Sequence, residues 1–457
     1  MAKSYARFVC QECGFSSAKW SGQCSHCGEW NTMLEQEPEV ESKTLLKKAS
    51  SSGRVIEATA LSDVETDEKE TRLRTGFPEF DLVLGGGILG GSVSLLAGQP
   101  GIGKSTLLLQ VAESIAQSCS VLYVSGEESA AQVKLRAMRL FQPKVDIKRS
   151  LVTHLDFAAS TSANDISQTI LDGKYQFVIV DSIQTLSLDE ISSAPGTPSQ
   201  VTNSGNVLIR AAKATGAAVM IVGHVTKEGM LAGPKMLEHM VDVVLNFEGD
   251  RYGGFKTIRA VKNRFGGTNE VAIFEMGELG LQEVENPSAA LLAERQNVDG
   301  SVIFCGIEGT RPLLIEIQAL VSQTIFGYPK RTASGFDLNR LNLLIAVLEK
   351  RTKLRLSDKD IFVNVVGGLR LADAAADLAV CMAIASAAAG KRLDDETVVF
   401  GEVGLGGEIR SARAAPGRIA EAEKLGFSRI IAPRTVKHPK VTPATNLRHV
   451  LSDYMKS

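Results

Sequence analysis

The chain has 457 residues, which predicts about two to four domains. Its composition is 44% hydrophobic and 22% charged with a net charge of -2, so the chain as a whole is not a polycation and any basic site must be local. The longest apolar stretch, Leu371–Ala389, contains Asp373 and Asp377, which argues against a membrane span. No apolar signal core precedes Cys10. We therefore expect a cytoplasmic protein that makes no membrane contact.

The first element in the chain is a cysteine-rich segment, residues 1–34. It carries two C-x2-C pairs with ten residues between them: Cys10, Cys13, Cys24 and Cys27. Four thiolates at this spacing indicate a closed, structural Zn²⁺ site that orders a segment too small for its own core. A pair of redox disulfides is the alternative. Lys19, Trp20 and Trp30 form a candidate contact surface, although Trp20 could instead be the core of the segment.

A polar linker, residues 35–68, follows the cysteine segment. Residues 69–285 then alternate apolar strands with helical stretches, which predicts a parallel sheet with helices on both faces. The predicted strands are Ser92–Ala97, Val121–Ser125, Phe177–Asp181, Ala218–Gly223 and Val241–Glu248.

Residues 286–457 form a further mixed α and β region. Its predicted strands are Ile361–Val366 and Val398–Gly401, and its predicted helices are Asn339–Arg351, Ala372–Ala388 and Pro416–Leu425. The fold class is therefore α/β, with a small N-terminal zinc module and a C-terminal α+β domain.

A phosphate-binding loop lies between the first core strand and the next helix. The pattern G-x-x-x-x-G-K-[ST] is complete, and the predicted nucleotide-binding residues are Gly98, Gln99, Pro100, Gly101, Ile102, Gly103, Lys104, Ser105 and Thr106. Such a loop points backbone N–H groups at phosphate oxygens, and the new helix adds its positive end. Lys104 would reach the β- and γ-phosphates of ATP, and Ser105 would contact Mg²⁺. The alternative is an ordinary glycine-rich turn.

Acidic residues end two of the neighbouring strands. Asp181 closes an apolar strand and would hold the Mg²⁺ shell, or would simply cap a helix. Glu127 and Glu128 close the strand that follows the phosphate-loop helix. Hydrolysis needs a group that orients the attacking water, and Glu127 is the predicted base with Glu128 as the alternate. Glu128 could instead be a first-turn carboxylate that interacts with a helix dipole.

At this point the chain resembles the bacterial RadA (Sms) family of DNA repair proteins over nearly its whole length. The cysteine cluster, the phosphate loop, the pentapeptide Lys262–Gly266 (KNRFG) and a C-terminal region similar to the proteolytic domain of Lon carry the resemblance. It implies a RecA-like ATPase core and a homo-hexameric ring similar to DnaB-type helicases. It also implies ATP, Mg²⁺ and Zn²⁺ as cofactors, a response to DNA damage, and contacts with a RecA-type recombinase and a replicative helicase.

The resemblance also implies roles for further residues. Lys262 and Arg264 would project into the neighbouring subunit's ATP site as an arginine finger does, although a solvated basic turn or a DNA contact is the alternative. His224 would sense the γ-phosphate. Two loops, residues 186–202 and 227–235, would face DNA, with Lys227 and Lys235 contacting phosphates. Neither loop contains an aromatic residue, and both could instead be subunit contacts.

The Lon-like region lacks the residues of a Ser-Lys peptidase. Ala376 stands near the expected serine, and Arg418, which cannot act as a base, stands at the expected lysine. We therefore predict a scaffold without peptidase activity. The expected function is a DNA-dependent ATPase that translocates on single-stranded DNA and promotes branch migration of strand-exchange intermediates during recombination. The alternative is an ATP-switched recombination mediator without processive translocation.

Overall fold

The computed structural model describes residues 7–10, 16–17, 19–30, 32–36, 60, 63, 72–141, 154–224, 235–249, 254–325 and 327–455. The chain divides into two compact units, Met1–Asp67 and Glu68–Ser457. In the small unit, antiparallel strands pair in the order β2-β1-β3: β1 (Arg7–Cys10), β2 (Ser16–Ser17) and β3 (Met33–Gln36). Cys24 and Met33 are buried there and pack with Phe8.

A nine-stranded sheet forms the first part of the large unit, counted over the described residues. Its order is β14-β13-β12-β11-β6-β10-β9-β7-β8, and the six strands from β11 to β8 are parallel. The strands are β6 (Val93–Gly98), β7 (Val121–Ser125), β8 (Leu155–Ala159), β9 (Phe177–Asp181), β10 (Ala218–His224), β11 (Val243–Gly249), β12 (Lys256–Asn263), β13 (Val271–Gly277) and β14 (Gly280–Glu283). A short pair, β4 (Arg72–Leu73) and β5 (Ile88–Leu89), lies apart.

Helices cover both faces of this sheet, as the alternation of the sequence predicts. The helices are α1 (Pro78–Val83), α2 (Lys104–Ile115), α3 (Ala130–Leu140), α4 (Ala163–Leu171), α5 (Pro198–Thr215) and α6 (Lys235–Met240). Successive strand residues point to opposite faces. Leu96 and Met220 therefore pack with α2, whereas their neighbours Leu95 and Ile221 pack with α4 and α5.

The antiparallel strands β12, β13 and β14 extend the sheet beyond its parallel part. The sequence predicts only a basic strand-to-turn segment at residues 259–268, which includes the end of β12. It does not predict β13 and β14, because strands joined by tight turns lack the intervening helices that mark a parallel sheet. Each pairs antiparallel with the strand before it in the chain. This extension places Met276 and Leu281 against the phosphate loop, within 3.4 Å of the position that a Cβ on Gly103 would take.

The remainder of the large unit surrounds a mixed sheet of seven described strands in the order β17-β18-β16-β15-β19-β22-β23. They are β15 (Ser301–Glu308), β16 (Arg311–Gln323), β17 (Arg331–Ser334), β18 (Lys359–Val365), β19 (Thr397–Val399), β22 (Arg429–Pro433) and β23 (Val441–Ala444), with β20 (Glu402–Val403) and β21 (Ile409–Arg410) as a separate pair. The helices are α7 (Pro287–Leu292), α8 (Leu338–Arg351), α9 (Asp377–Ala389), α10 (Ala415–Lys424) and α11 (Leu447–Met455).

Helix α9 accounts for the apolar stretch seen in the sequence. Residues 377–386 are all buried, so the helix is apolar on every side because it lies inside the C-terminal core. Across the described residues, no helix combines the length and hydropathy needed to cross a bilayer.

Candidate functional site

The phosphate loop leads from β6 into α2 at the carboxyl edge of the parallel strands. Gly103 precedes α2 with φ 118°, a left-handed conformation that favours glycine, and a Cβ there would lie 2.9 Å from Met276 Cε. A Cβ on Gly98 would lie 2.7 Å from the carbonyl oxygen of Phe247. Both glycines are thus sterically required, and the loop delivers the N-terminal end of α2 to the site, where its N–H groups can bind an anion.

Lys104 lies at the centre of the site with its side chain buried. Its ammonium donates hydrogen bonds to the carbonyl oxygens of Gly98 at 2.8 Å and Gln99 at 3.0 Å. Burial lowers the pKa of Lys104 to about 8, while the negative charges of Asp181 and Glu127 act in the opposite direction. A bound phosphate group would therefore favour the protonated, positively charged form of Lys104.

Asp181 is held at the end of β9 by a neighbouring strand. Tyr123, buried in β7, donates a hydrogen bond from its hydroxyl to Asp181 Oδ2 at 2.7 Å. The parallel register pairs Asp181 with Ser125, so both strands end at the same edge. One carboxylate oxygen is thereby engaged, while the residue lines the same cavity as Ser105. A carboxylate and a hydroxyl are suitable ligands for Mg²⁺.

The cavity at this edge has a volume of about 430 Å³. It is lined by the loop, by strand ends and by α3: Pro100, Gly101, Gly103, Lys104, Ser105, Thr106, Ser125, Glu127, Glu128, Arg136, Arg139, Asp181, His224 and Met276. The sequence-predicted Lys104, Ser105, Glu127, Asp181 and His224 are thus brought together.

The two glutamates after β7 have different surroundings. Glu128 forms an ion pair with Arg136 of α3. Glu127 accepts a hydrogen bond from Ser182 Oγ at 2.7 Å, and its side chain remains 46% exposed. Glu128 is therefore committed to a structural contact, whereas Glu127 is oriented by a hydroxyl and open to the cavity.

His224, at the end of β10, connects the lysine to this glutamate. Its Nδ1 lies 3.2 Å from Lys104 Nζ, and its Nε2 lies 3.3 Å from Glu127 Oε1. Because an ammonium can only donate, Nδ1 accepts and the ring hydrogen is assigned to Nε2, which donates to Glu127. The imidazole therefore links the group that would contact the γ-phosphate to the predicted base.

Sequence reasoning missed several residues of this site. Tyr123, Ser182, Arg136 and Arg139 take their places through strand register and the packing of α3, and no motif marks them. The only available signal was Tyr123, a residue with a polar hydroxyl inside an otherwise apolar strand.

Lys262 and Arg264 lie at the opposite edge of the sheet from the phosphate loop. In the register, Val243 of β11 pairs with Ser94 and with Asn263, whereas Phe247 pairs with Gly98. Four residues of strand correspond to about 13 Å. Neither residue lines the cavity that contains Lys104 of the same chain.

The two side chains differ in how they are held. Arg264 is 58% exposed and lies 3.6 Å from Asp242. Lys262 does not protrude, contrary to the expectation for this basic turn. It donates to three backbone carbonyls at the end of α6: Glu238 at 3.0 Å, His239 at 2.9 Å and Val241 at 2.7 Å. Burial, and then Arg264, lower the pKa of Lys262.

The expected DNA loops are described only in part. Lys227 lies outside the described residues, and of Lys235 only the backbone, as the first residue of α6, is described. In the other loop the Gln200 side chain contacts the backbone of Leu188, Ile191 and Ser193, and α5 already begins at Pro198. That loop is shorter and more organised than the long flexible segment predicted from the sequence.

In the zinc module, Cys24 and Cys27 lie on a tight turn. The N–H of Gly28 donates to the carbonyl of Cys24 at 2.9 Å, and Gly28 has φ 77°. This geometry is typical of a knuckle that aims two thiolates at one metal, so this pair is suited to Zn²⁺. Cys13 and the side chain of Cys10 lie outside the described residues. Trp20 is 62% exposed, so it is not the core of the module.

The two positions that the sequence compares with a Ser-Lys pair, Ala376 and Arg418, both carry buried side chains. Ala376 is fully buried. Arg418 is 1% exposed, forms an ion pair with Asp373 at 2.5 Å and donates to the Arg413 carbonyl at 2.9 Å. An arginine held in this way has a structural role.

Comparison with known proteins gives matches in all three parts of the chain. An AAA domain matches residues 58–230, a rubredoxin metal binding domain residues 8–35, and subunit ChlI of Mg-chelatase residues 322–436. The DNA repair protein RadA of Halalkalibacterium halodurans is 48% identical over 435 residues, 95% of this chain and 93% of that protein. RadA of Bacillus subtilis is 48% identical over 444 residues, with the same coverages.

The chain belongs to the RadA family of DNA repair proteins. A solved structure of the RadB recombinase is also similar, covering 47% of this chain and 100% of its own, with 19% identity and a TM-score of 0.36. Membership of the RadA family confirms the RecA-like α/β core and the N-terminal zinc ribbon predicted from the sequence. It also makes ATP with Mg²⁺, and zinc, the implied ligands of this DNA repair ATPase.

Proposed function

We propose that this RadA-family chain is a DNA-dependent ATPase that translocates on single-stranded DNA and drives branch migration of strand-exchange intermediates. The active form is a homo-hexameric ring in which each ATP lies between two subunits. Branched DNA and a RecA-type recombinase are its working partners, and a replicative helicase is a further one.

The residues of the cavity divide the chemistry among them. Lys104 contacts the β- and γ-phosphates, and Ser105 and Asp181 hold the Mg²⁺ shell. Glu127 orients the attacking water. The hydrogen bond from Ser182 to Glu127 and the ion pair that occupies Glu128 support this choice between the two glutamates. Mg²⁺, when bound, neutralises charge on the phosphates.

The position of Lys262 and Arg264 carries the proposal. In the strand register they lie four residues, about 13 Å along the strands, from the level of their own phosphate loop, which supports a role at the site of a neighbouring copy. There Arg264, which is 58% exposed, stabilises the charge that builds on the transferred phosphoryl group, and Lys262 does so once its ammonium is released from the three carbonyls at the end of α6. ATP hydrolysis thereby depends on assembly.

Coupling to DNA runs through the end of β10. His224 contacts both Lys104 and Glu127, and the loop with Lys227 and Lys235 follows it directly. A change at the γ-phosphate therefore reaches the loop through one residue. The lysines bind phosphates of the strand, which makes the affinity salt-sensitive and independent of sequence.

The other two domains support the motor. Four thiolates, from Cys10, Cys13, Cys24 and Cys27, hold a structural Zn²⁺. The C-terminal domain is a scaffold without peptidase activity, since Ala376 has no nucleophile and Arg418 is engaged by Asp373. A casein degradation assay in the presence of ATP should show no cleavage.

ATP turnover with and without single-stranded DNA, together with a mass measurement in nucleotide, tests the proposal. Arg264→Ala should bind ATP normally but lose turnover by about 10³-fold or more, as expected for the loss of a trans-acting cation. Arg410→Ala is the matched control, because Arg410 is 60% exposed and also pairs with a carboxylate, Glu408. Normal DNA-stimulated turnover of Arg264→Ala would remove this residue from the active site.

Assemblies that mix two variants test whether Arg264 acts on the ATP site of a neighbouring subunit or on that of its own subunit. Lys104→Ala subunits supply intact cations, and Arg264→Ala subunits supply an intact phosphate loop, so a mixture should regain turnover that neither variant has alone. Translocation is tested separately by unwinding whose rate follows ATP hydrolysis. Stoichiometric loading on DNA with slow turnover would instead indicate an ATP-switched mediator.

A further inference from the structure

Two tryptophans lie exposed on the zinc module. Trp20 is 62% and Trp30 is 67% exposed. They flank Gly22: a carbon attached there would lie 3.8 Å from Cη2 of Trp20 and 3.9 Å from Cζ3 of Trp30. We call Trp20, Gly22 and Trp30, with the exposed Lys19 beside them, the indole patch. The described core of the module is formed by Cys24, Met33 and Phe8, so the two indoles are not needed to fill it.

The backbone holds the indole patch in place without help from packing of the rings. Gln23 and Trp30 form an antiparallel bridge, which joins the two segments that carry the indoles. Gln23 Nε2 donates to the Gly28 carbonyl at 2.8 Å, and Ser21 Oγ donates to the Gln23 carbonyl at 2.7 Å. The rings are therefore presented on a fixed turn, and little conformational entropy is lost when a ligand stacks on them.

The surroundings of the patch favour a planar ligand over a broad apolar partner. The neighbours Lys19, Ser21, Gln23 and Glu29 are all exposed and polar, so polar side chains border the rings on the described part of the module. A protein-binding hot spot usually sits within a larger dry surface. Stacked bases need only ring faces and a nearby cation for the phosphate, which Lys19 supplies.

The two loops expected to contact DNA offer no such surface. The candidate DNA loops, residues 186–202 and 227–235, contain no aromatic side chain. They can contact phosphates but cannot stack bases. We propose that the indole patch stacks the bases of single-stranded DNA, so that the zinc module holds the strand while the ATPase moves it. This inference rests on the DNA binding assigned above under the proposed function.

The chain's composition provides a direct test, because Trp20 and Trp30 are its two tryptophans. Emission from the full-length protein should fall saturably as an oligo-dT strand is added. An abasic strand of the same length carries the phosphates but no bases, so it should leave the emission almost unchanged. The double variant Trp20→Ala, Trp30→Ala should bind oligo-dT on the order of tenfold more weakly, whereas Trp20→Phe, Trp30→Phe should retain most of the affinity.

Several results would overturn the inference. The inference would be wrong if anisotropy showed that oligo-dT binds while the tryptophan emission stayed unchanged. It would also be wrong if the abasic strand quenched the emission as strongly as oligo-dT. A change in emission with a purified recombinase but not with oligo-dT would assign the patch to a protein. ATP turnover without DNA should match that of the wild type in both double variants, which checks their fold. If anisotropy showed that the wild-type protein does not bind oligo-dT at all, the proposed function itself would be wrong, and not only the role of the indole patch.

Discussion

At the scale of single residues, the phosphate site could be read from the sequence only as far as its motif extends. The loop ending in Lys104 and Ser105 is a local pattern, and Asp181 ends an apolar run, so both were predictable. The partners of these residues were not. Tyr123 reaches Asp181, and Ser182 reaches Glu127, across pairings fixed by strand register rather than by sequence spacing.

The depressed pKa of Lys104 predicts how ATP binding varies with pH. Without phosphate the lysine loses its proton near pH 8, below its ordinary value of 10.5. Bound phosphates favour the charged form, so binding should take up about half a proton near pH 8. ATP affinity should fall as pH rises above about 8. Calorimetry in buffers of different ionisation enthalpy measures the proton uptake.

The control for this prediction is Lys104→Met, whose weaker binding should be nearly flat between pH 7 and 9.5. The same pKa shift also predicts how the stability of the ATP-free protein changes with pH. Between about 8 and 10.5 the unfolded lysine binds more proton than the folded one, so the ATP-free protein gains stability as pH rises. An ATP affinity of the wild type that is independent of pH would contradict the assigned burial of Lys104.

Tyr123 is expected to position Asp181 for Mg²⁺. Tyr123→Phe removes the hydroxyl and keeps the ring stacked on Phe157, where the centroids lie 6.4 Å apart. A hydrogen bond to a charged group contributes about 1.5–3 kcal/mol, so half-maximal turnover should require about tenfold more Mg²⁺. Tyr175→Phe is the matched control, because Tyr175 donates in the same way to Asp156, at 2.7 Å, away from the cavity. Equal Mg²⁺ dependence in the two variants would exclude this role.

At the scale of elements, the alternation of strands and helices predicted the parallel strands well. β7 and β9 have the predicted bounds, and β6, β10 and β11 begin or end within two residues of them. Of the antiparallel strands, only the end of β12 was predicted, and β13 and β14 were missed because their connections are turns, which leave no helical period in the sequence. The effect of the antiparallel strands is large, since β12 carries Lys262 to the far edge of the sheet.

Lys262 also connects that edge to α6. Its ammonium closes the carboxyl end of α6, whose other end follows the loop that contains Lys227. Lys262→Met should leave three carbonyls without this donor and speed hydrogen exchange at residues 235–241. Arg264→Ala should not, because Asp242 keeps its contacts with Lys213 at 2.7 Å and Val93 at 3.0 Å. Identical exchange in the two variants would show that Lys262 does not hold the helix.

At the scale of the whole molecule, the C-terminal domain depends on a buried charge. Arg418→Met would leave Asp373 without its cation, and removing one partner of a buried ion pair costs about 3–5 kcal/mol. Denaturant unfolding should show this loss. Arg410→Met, which breaks the exposed pair with Glu408, should cost about 1 kcal/mol or less. A similar effect from both variants would contradict the structural role of Arg418.

The opposite positions of the phosphate loop and the cations on the central sheet also predict how the activity of a mixed assembly depends on its composition. In the proposed assembly the phosphate loop of one subunit meets the cations of the next, so subunits would associate head to tail, and such an interface forms a closed ring only when the rotation between subunits closes. In an open filament the ATP site of the terminal subunit would lack the cations of a neighbour, whereas in a closed ring every site would be complete. If Arg264 acts in trans, a subunit that lacks both Lys104 and Arg264 should inactivate its own ATP site and that of one neighbour. When this double variant is mixed with wild-type protein, the remaining ATP turnover should therefore fall with the square of the fraction of wild-type subunits.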